Sequence, residues 1–386
     1  MRVTYLQTVV LASLVLLGVG CGGQSPVQTT SGPACTPASH PAFAYVLNDL
    51  ANTVSMYTQD SCTGQLTPTT PPSVPTGANA FGSETMAVDP AGRFAYVANL
   101  MSNADDEATI SMFTIDSSTG VLMPTTPSTV PSGFFPQGIA IDPAGKFVYT
   151  ANSDDNTVSM FTIDSGTGLL TPTNPAAVAT GWSPLSVTVH PSGKFAYVAN
   201  QDDDTVSMYT LNASTGVLTP MTPAAVPPGG SPFDVTVDPS GKFAYVPDAY
   251  SQPNNFVSQY TVDSVTGVLT PNTPNAVSAG DSPTSVAVDP SSKFAYVVNR
   301  NAETVSMFTI DPSTGNLTPN NPATITAGSQ PFRIVVDASG KFAYVGNQGG
   351  ESVSIYSLNK DGTLTAAGLA TTGSDPISLA LIGMPH

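Results

Sequence analysis

The chain has 386 residues, of which 40% are hydrophobic and only 10% are charged, with 36 Pro and 33 Gly. This length exceeds the usual size of one compact domain, so it predicts either two domains or one architecture that grows by repetition. With 10 basic residues against 27 acidic ones, the formal net charge of −17 argues against a nucleic-acid partner and against adhesion to an anionic membrane, since both need clustered Lys and Arg.

Residues 1–21 predict an export signal. The apolar stretch Val9–Val19 is too short for a membrane-spanning helix and is typical of a signal peptide. The residues before Cys21 resemble the lipobox of bacterial lipoproteins, although Gly18 stands where that motif usually has Leu. The resemblance implies that Cys21 becomes an acylated N-terminus; the alternative is simple signal cleavage.

Residues 22–42 predict a flexible tether, because they are rich in Gly, Ser, Thr, Pro and Gln. We therefore expect an extracytoplasmic protein. In the lipidated form it is held to a membrane only through the N-terminal lipid, in the periplasm or at the cell surface; otherwise it is secreted.

From residue 43 the chain repeats a unit of roughly 50 residues. The motif Phe-Ala-Tyr-Val predicts the second strand of each unit, after an inner strand and a turn such as Ser192-Gly193-Lys194. A third strand, Thr157–Asp164 in one copy, and a Pro-rich fourth strand follow. Four short strands per unit predict an all-β chain and the blade of a β-propeller. The motif begins at Phe43, Phe94, Phe147, Phe195, Phe243, Phe294 and Phe342.

The two ends of the chain predict how the ring closes. The motif at Phe43 has no inner strand before it, and residues 375–381 form an inner strand with no second strand after it. One blade is therefore expected to combine one C-terminal strand with three N-terminal strands. This predicts a seven-bladed propeller over residues 43–386, and we expect a monomer.

Two cysteines besides Cys21 predict a disulfide. An even pair in an oxidising compartment is a candidate for a bridge, and the alternative is two free thiols. Cys35 precedes the start of a second strand, and Cys62 lies in a turn between a third and a fourth strand. Both are expected at the face where second strands begin, here called the lower face; the upper face is where second strands end.

The blocks of Phe/Tyr-Val-x-Asn with Asp-Pro-x-Gly-Lys turns resemble the YVTN-type repeats of the seven-bladed lactonase-like propellers. That superfamily includes 6-phosphogluconolactonases and fungal carboxy-muconate lactonizing enzymes, and the resemblance covers roughly residues 43–383. We expect no cofactor. The lactonizing relatives use His, Arg and Glu around the mouth of the central channel, but here His190 occupies a lower-face turn, where other copies have Asp.

Charged residues that break the repeat are the candidates for chemistry at the upper mouth. Arg333 starts an inner strand, and Asp234 holds the matching position in another unit. Arg333 and Arg300 are the candidates for an anion contact, while a structural salt bridge is the alternative for Arg333. Asp248 stands where the other copies have Asn and is a further catalytic candidate.

A ring of polar residues ends the second strands. These side chains could line a funnel with amides and bind a ligand, or each could bond its own following loop, as Asn favours. The ring consists of Asn48, Asn99, Asn152, Asn200, Asp248, Asn299 and Asn347.

The loops after this ring are acidic, and they predict a negative upper face. Their acidic residues are Asp105-Asp106-Glu107, Asp154-Asp155, Asp202-Asp203-Asp204, Glu303 and Glu351. Such a face opposes a phosphorylated sugar acid and suits a cationic partner or a hard divalent ion. Their spacing is not that of a calcium loop, so we expect no metal site.

Two functions of different classes follow. The first is a non-catalytic exported propeller that presents its acidic upper face to a protein, a glycan or a small molecule. The alternative is a lactonase, a hydrolase of carboxylic esters, acting on a sugar or small-acid lactone at the channel mouth.

Overall fold

A computed structural model describes residues 42–77, 83–100, 108–249 and 255–382, with the backbone alone at Ser83 and Glu84. The chain divides into two units, residues 1–36 and 37–386, and every described residue belongs to the second. The predicted signal peptide, Cys21 and Cys35 lie outside the described residues, as does the tether up to residue 41. Within the described ranges, no helix is long and apolar enough to cross a membrane.

Seven four-stranded antiparallel sheets form the described structure, and each sheet is one blade. The innermost strands contact one another in cyclic order, so the blades form a ring around a central channel. The predicted all-β, seven-bladed propeller is confirmed. The inner strands are β4 (Ser83–Val88), β8 (Pro136–Ile141), β12 (Pro184–Val189), β16 (Thr236–Val237), β20 (Pro283–Val288), β24 (Pro331–Val336) and β28 (Pro376–Ile382).

The second strands form the core of the blades, since their Phe-Ala-Tyr-Val residues are almost completely buried. Their side chains alternate between the two faces of a blade, and both faces pack on neighbouring blades. They are β1 (Ala42–Asn48), β5 (Phe94–Asn99), β9 (Phe147–Asn152), β13 (Phe195–Asn200), β17 (Phe243–Asp248), β21 (Phe294–Asn299) and β25 (Phe342–Asn347).

The third strands lie between the second strands and the outer edge of each blade. They are β2 (Thr53–Gln59), β6 (Thr109–Ile115), β10 (Thr157–Ile163), β14 (Thr205–Leu211), β18 (Phe256–Val262), β22 (Thr304–Ile310) and β26 (Ser352–Leu358). The fourth strands are the exposed outer edges, and in most blades their prolines leave fewer donors for pairing with another chain. They are β3 (Leu66–Pro75), β7 (Leu122–Pro131), β11 (Leu170–Ala179), β15 (Leu218–Val226), β19 (Leu269–Ser278), β23 (Leu317–Thr326) and β27 (Leu364–Thr371).

The ring closes through the first blade, whose strand order is β28-β1-β2-β3. Tyr45 of β1 lies opposite Ala380 of β28 in the antiparallel register. One strand from the C-terminal part therefore completes a blade of three N-terminal strands, as predicted. We number the blades from this one, so that blade 1 holds β28 and β1–β3 and blade 7 holds β24–β27. A 3-10 helix, Gln348–Gly350, follows β25 in blade 7.

Neighbouring blades are joined by a recurring contact between a second strand and the turn before the next blade's fourth strand. The turn carries a Gly with positive φ, and the Phe ring of the preceding blade lies where a β-carbon of that Gly would stand. In six blades the Tyr hydroxyl of the second strand donates to the carbonyl of the same Gly. These pairs are Tyr45–Gly120, Tyr96–Gly168, Tyr149–Gly216, Tyr197–Gly267, Tyr245–Gly315 and Tyr344–Gly64.

Candidate functional site

The central channel holds a cavity of about 230 Å³ that is lined by all seven inner segments. One layer of this lining lies opposite the second-strand residue that precedes the polar ring, just below the upper mouth. Its members are Thr85, Gly138, Ser186, Asp234, Ser285, Arg333 and Ser378. Five of them are small or hydroxylated, so the two charged residues set the chemistry of this layer.

Arg333 and Asp234 form an ion pair across the channel wall. The distance from Nη1 of Arg333 to Oδ2 of Asp234 is 3.5 Å, although the two residues belong to blades 7 and 5. Oδ1 of the same carboxylate accepts a hydrogen bond from the Ser186 hydroxyl at 2.5 Å. It also accepts one from the backbone N–H of Val235 at 2.9 Å. The carboxylate therefore ties together blades 4, 5 and 7, and the salt-bridge alternative for Arg333 is the arrangement that the structure shows.

A second cluster lies above this pair, on the residues that precede Asp234 and Arg333. The rings of Phe233 and Phe332 meet edge to face with their centroids 5.5 Å apart. The guanidinium of Arg300 lies over the Phe332 ring at 5.5 Å and donates to Oε1 of Gln348 at 2.6 Å. Arg300 thus already has an aromatic face and an amide oxygen as partners. Phe233 and Phe332 were not predicted as site residues; their place directly after the Pro of an inner segment was the available signal.

The Asn residues of the polar ring do not face the channel, so the amide funnel was a wrong prediction. All six are fully buried, because each lies behind the inner strand, opposite its first residue. Each donates from Nδ2 to two hydroxyls of its own third strand; Asn152, for example, donates to Thr157 at 3.0 Å and to Ser159 at 2.9 Å. The same pattern holds for Asn48, Asn99, Asn200, Asn299 and Asn347. The alternative, in which each Asn bonds the loop that follows it, is right only in that each Asn bonds within its own blade, because the two hydroxyl partners lie in the third strand beyond that loop.

Asp248 occupies the same buried position in blade 5. Its Oδ2 accepts a hydrogen bond from the Ser258 hydroxyl at 2.6 Å, while Oδ1 has no partner among the described residues. Burial raises the pKa of this carboxyl to about 8, with the charge of Asp204 adding to the effect and Ser258 opposing it. Because the side chain is fully buried, it cannot contact a ligand in the channel of this structure.

His190 lies in the lower-face turn, as the sequence predicts. Its Nε2 is 2.8 Å from the carbonyl oxygen of Gly241 in the next blade, and its Nδ1 accepts the backbone N–H of Ser192. These contacts correspond to the tautomer with the proton on Nε2. The imidazole therefore bridges two lower-face turns, away from the upper mouth.

The upper-face loops carry exposed carboxylates within the described ranges. Asp154, Asp155 and Asp202–Asp204 are exposed, as are Glu303 and Glu351; the predicted acidic run 105–107 lies outside the described residues. Among the described residues, no group of three or more His, Cys, Asp or Glu could hold a metal ion. The expectation of no metal and no cofactor stays a prediction.

Cys62 is disulfide-bonded. Its partner lies outside the described residues, so the pairing with Cys35 stays a prediction.

Comparisons with known proteins agree with this architecture. The family model described as lactonase, seven-bladed β-propeller, matches residues 28–181, 175–231 and 187–327. No curated protein sequence is similar enough to count as a match.

Solved structures share the fold at low sequence identity. A Bacteroides uniformis protein named "putative 6-phosphogluconolactonase" has a TM-score of 0.72 and 20% identity, with 89% of this chain and 100% of that chain covered. A periplasmic gluconolactonase from Pseudomonas aeruginosa has a TM-score of 0.70 and 18% identity, with 89% and 100% covered. Hydrazine synthase from Kuenenia stuttgartiensis has a TM-score of 0.59 and 18% identity, with 87% and 100% covered. Proteins of different activity thus share this ring.

Proposed function

The chain belongs to the lactonase family of seven-bladed β-propellers, and from this premise we propose that it is a non-catalytic, exported propeller that binds a partner with its acidic upper face. The observation that carries the proposal is the pairing of the charged groups at the channel mouth. Arg333 is held by Asp234, and the Asp234 carboxylate also accepts bonds from Ser186 and Val235.

The chemistry of lactone hydrolysis explains why this pairing matters. The reaction needs a group that takes a proton from the attacking water and a cation or donor for the developing oxyanion. Here the carboxylate and the guanidinium at the mouth contact each other. A lactone would have to separate them, and two buried or partly buried charges would then lose their partners.

The proposal that the protein is exported rests on its N-terminal sequence, and one structural observation supports it. A disulfide at Cys62 suits an oxidising compartment. Mass spectrometry of the mature N-terminus tests it: we expect a diacyl or triacyl mass on Cys21 that disappears in Cys21→Ser. A mature protein that carries no lipid and starts at another residue would show that the protein is secreted and not anchored.

Lactonase activity is the second candidate, favoured by the family and by a cavity of about 230 Å³ with a carboxylate and a guanidinium in its lining. If the protein is an enzyme, Asp234 is the general base and Arg333 stabilises the oxyanion.

The two candidates are separated by an assay on the purified mature protein with a panel of sugar and small-acid lactones. We expect hydrolysis no faster than in buffer. Hydrolysis that is lost in Arg333→Ala, while the melting temperature of the variant stays within a few degrees, would establish the lactonase instead. Arg93→Ala, which removes a guanidinium from a lower-face turn, is the matched control.

A further inference from the structure

Two exposed aromatic residues hold the same position in neighbouring blades of the upper face. Phe134 and Trp182 each precede by two residues the Pro that begins an inner strand, β8 and β12 respectively, and these strands pack side by side. Their exposed fractions are 55% for Phe134 and 65% for Trp182. Large aromatic side chains with this exposure on one face are typical of an interaction surface.

Each aromatic residue directly follows a glycine, Gly133 or Gly181, that lines a surface groove. The groove in blade 3 has a volume of about 320 Å³, and its lining includes Asp155, Thr157, Phe161, Pro172 and Ala176. Its lining also includes Gly133, and the backbone N–H of the next residue, Phe134, donates to Oδ2 of Asp155 at 2.8 Å.

The groove in blade 4 repeats this arrangement. Its volume is about 270 Å³, and it is lined at the equivalent positions by Asp203, Thr205, Tyr209, Pro220 and Ala224. Two grooves of similar composition, each with one carboxylate, therefore lie one blade apart. We call the two grooves with Phe134 and Trp182 the upper rim.

The chemistry of each groove matches a long cationic side chain. The walls of Ala, Pro and an aromatic ring suit an aliphatic stem, and the Asp suits the charged head that ends a Lys or Arg side chain. The neighbouring Asp154 and Asp202 are exposed and add negative charge, whereas Lys146 and Lys194, the basic residues of blades 3 and 4, lie in lower-face turns. The exposed Trp182 ring can also receive a cation on its face.

Four of the other five blades lack the aromatic residue, and in blade 2 the equivalent position, Phe81, lies outside the described residues. The position of Phe134 and Trp182 is taken by Gly230, Asp281, Ser329 and Ser374 in blades 5, 6, 7 and 1. In blade 5 the ring of Phe256 also lies against Gly229, where the third strands of blades 3 and 4 begin with Thr. Among the described residues, the combination of groove, carboxylate and exposed aromatic ring is thus confined to two adjacent blades.

We propose that the upper rim binds a basic polypeptide segment, with Lys or Arg side chains in the two grooves and against Trp182. The inference rests on the proposed function and names its partner class. Because the grooves are one blade apart, the segment must present at least two cationic side chains along an extended stretch. A neutral glycan, which also binds exposed aromatic rings, is the competing occupant, and the test includes it.

Trp182 is the single tryptophan of the chain, so its emission reports directly on the upper rim. We would titrate the purified mature protein with octalysine and octaarginine, with a Gly-Ser octapeptide and with maltohexaose. We expect both cationic peptides to shift or quench the emission with saturation, and the uncharged peptide and the oligosaccharide to leave it unchanged. Affinity should fall as salt rises.

An acidic protein attracts cationic peptides non-specifically, so the variant of the grooves needs a control variant with the same net charge. Asp155→Asn/Asp203→Asn removes the two groove carboxylates and keeps an oxygen that accepts hydrogen bonds. Asp116→Asn/Asp164→Asn removes two lower-face carboxylates, at a turn position where blade 4 already has Asn212 with equivalent bonds. We expect the first variant to bind octalysine about tenfold more weakly and the second within about twofold of wild type.

Trp182→Ala is read by the anisotropy of a labelled octalysine, and we expect a loss of at least about threefold. Equal weakening in the groove variant and its lower-face control would overturn the inference, as would a Trp182 response to maltohexaose alone. A protein that hydrolyses lactones would contradict the proposed function, whatever the peptide titration gives. An inactive protein without rim-specific peptide binding would contradict this inference alone.

Discussion

At the scale of single residues, blade 5 differs from the other blades at the end of its second strand. Six blades place Asn there, opposite a third strand that begins with Thr or Ser, and its amide donates to two hydroxyls. Blade 5 has Asp248 opposite Phe256, so one hydroxyl is replaced by a ring. A fully buried carboxyl with one bonded oxygen has no cation beside it among the described residues, and burial therefore favours its protonated form.

The raised pKa of Asp248 makes the stability of the protein depend on pH. The pKa is about 8 in the folded protein and 3.8 for an unperturbed aspartate, so between about pH 4 and pH 8 the folded state holds a proton that the unfolded state has released. The contribution of this carboxyl to the free energy of unfolding is therefore present at low pH and is lost as pH rises towards 8.

We expect Asp248→Asn to remove this dependence. The variant and the wild type should have similar stability near pH 4, and the variant should be more stable by about 2 to 5 kcal/mol near pH 8. Urea denaturation at a series of pH values measures the difference, and the exposed Asp residues cancel because both proteins have them. A difference that stays constant across the series would show that Asp248 is ionised in the folded protein.

At the scale of structural elements, the turn between the third and fourth strands decides how well a blade holds its neighbour. In blade 6 the N–H of Gly315 bonds the carbonyl of Asp311, four residues earlier. In blade 7 the turn is one residue shorter, and Gly362 bonds Asn359, three residues earlier. The Tyr296 hydroxyl, which by the repeat should donate to Gly362, is buried and has no partner among the described residues.

This difference provides a matched pair of variants. Tyr197 donates to the carbonyl of Gly267 at 2.7 Å, and Tyr197→Phe should lower the free energy of unfolding by about 1 to 2 kcal/mol. Tyr296→Phe removes an unbonded hydroxyl from an equally buried site, and it should leave stability unchanged or slightly raised. Chemical denaturation of both proteins tests the pair; equal losses would mean that the Tyr296 hydroxyl has a partner after all, such as a buried water.

At the scale of the whole molecule, the ring is held by the strand that closes it. Strand β28 pairs with β1, and its Ile377 and Leu379 are buried against the neighbouring blades. Without it, the edge of β1 would be unpaired and two apolar side chains would be lost from the core.

Removal of residues 375–386 should therefore destabilise the entire propeller. We expect the free energy of unfolding to fall by more than about 5 kcal/mol, or the cooperative transition to disappear, because the lost burial and strand pairing affect the junction of blades 1, 2 and 7. Near-UV circular dichroism and thermal melting measure the effect. A chain that ends at Ile382 is the control and should melt like the wild type; an unchanged melting curve for the longer deletion would mean that the ring does not depend on this closure.

The sequence by itself determined the architecture and its closure, because each blade repeats short-range rules. Alternation along a strand, a Gly that accepts positive φ and Pro at an outer edge are all visible within one unit of roughly 50 residues. Counting units then predicts seven blades, and the unmatched strands at the two ends predict β28 beside β1. The same local view placed His190 in its turn, because it replaces an Asp of known position.

Only the tertiary structure decided what the candidate site residues contact. Arg333 meets Asp234 across an intervening blade, at a sequence separation of 99 residues. The Asn side chains of the polar ring point into their own blades. They have no access to the channel, because the inner strand of each blade lies between them and the channel. The sequence alone does not show whether the side chains of Phe134 and Trp182 are buried or exposed. Their placement on the upper rim exposes them. Blade-to-blade distances depend on how seven units curve into a ring, and no single repeat contains that information.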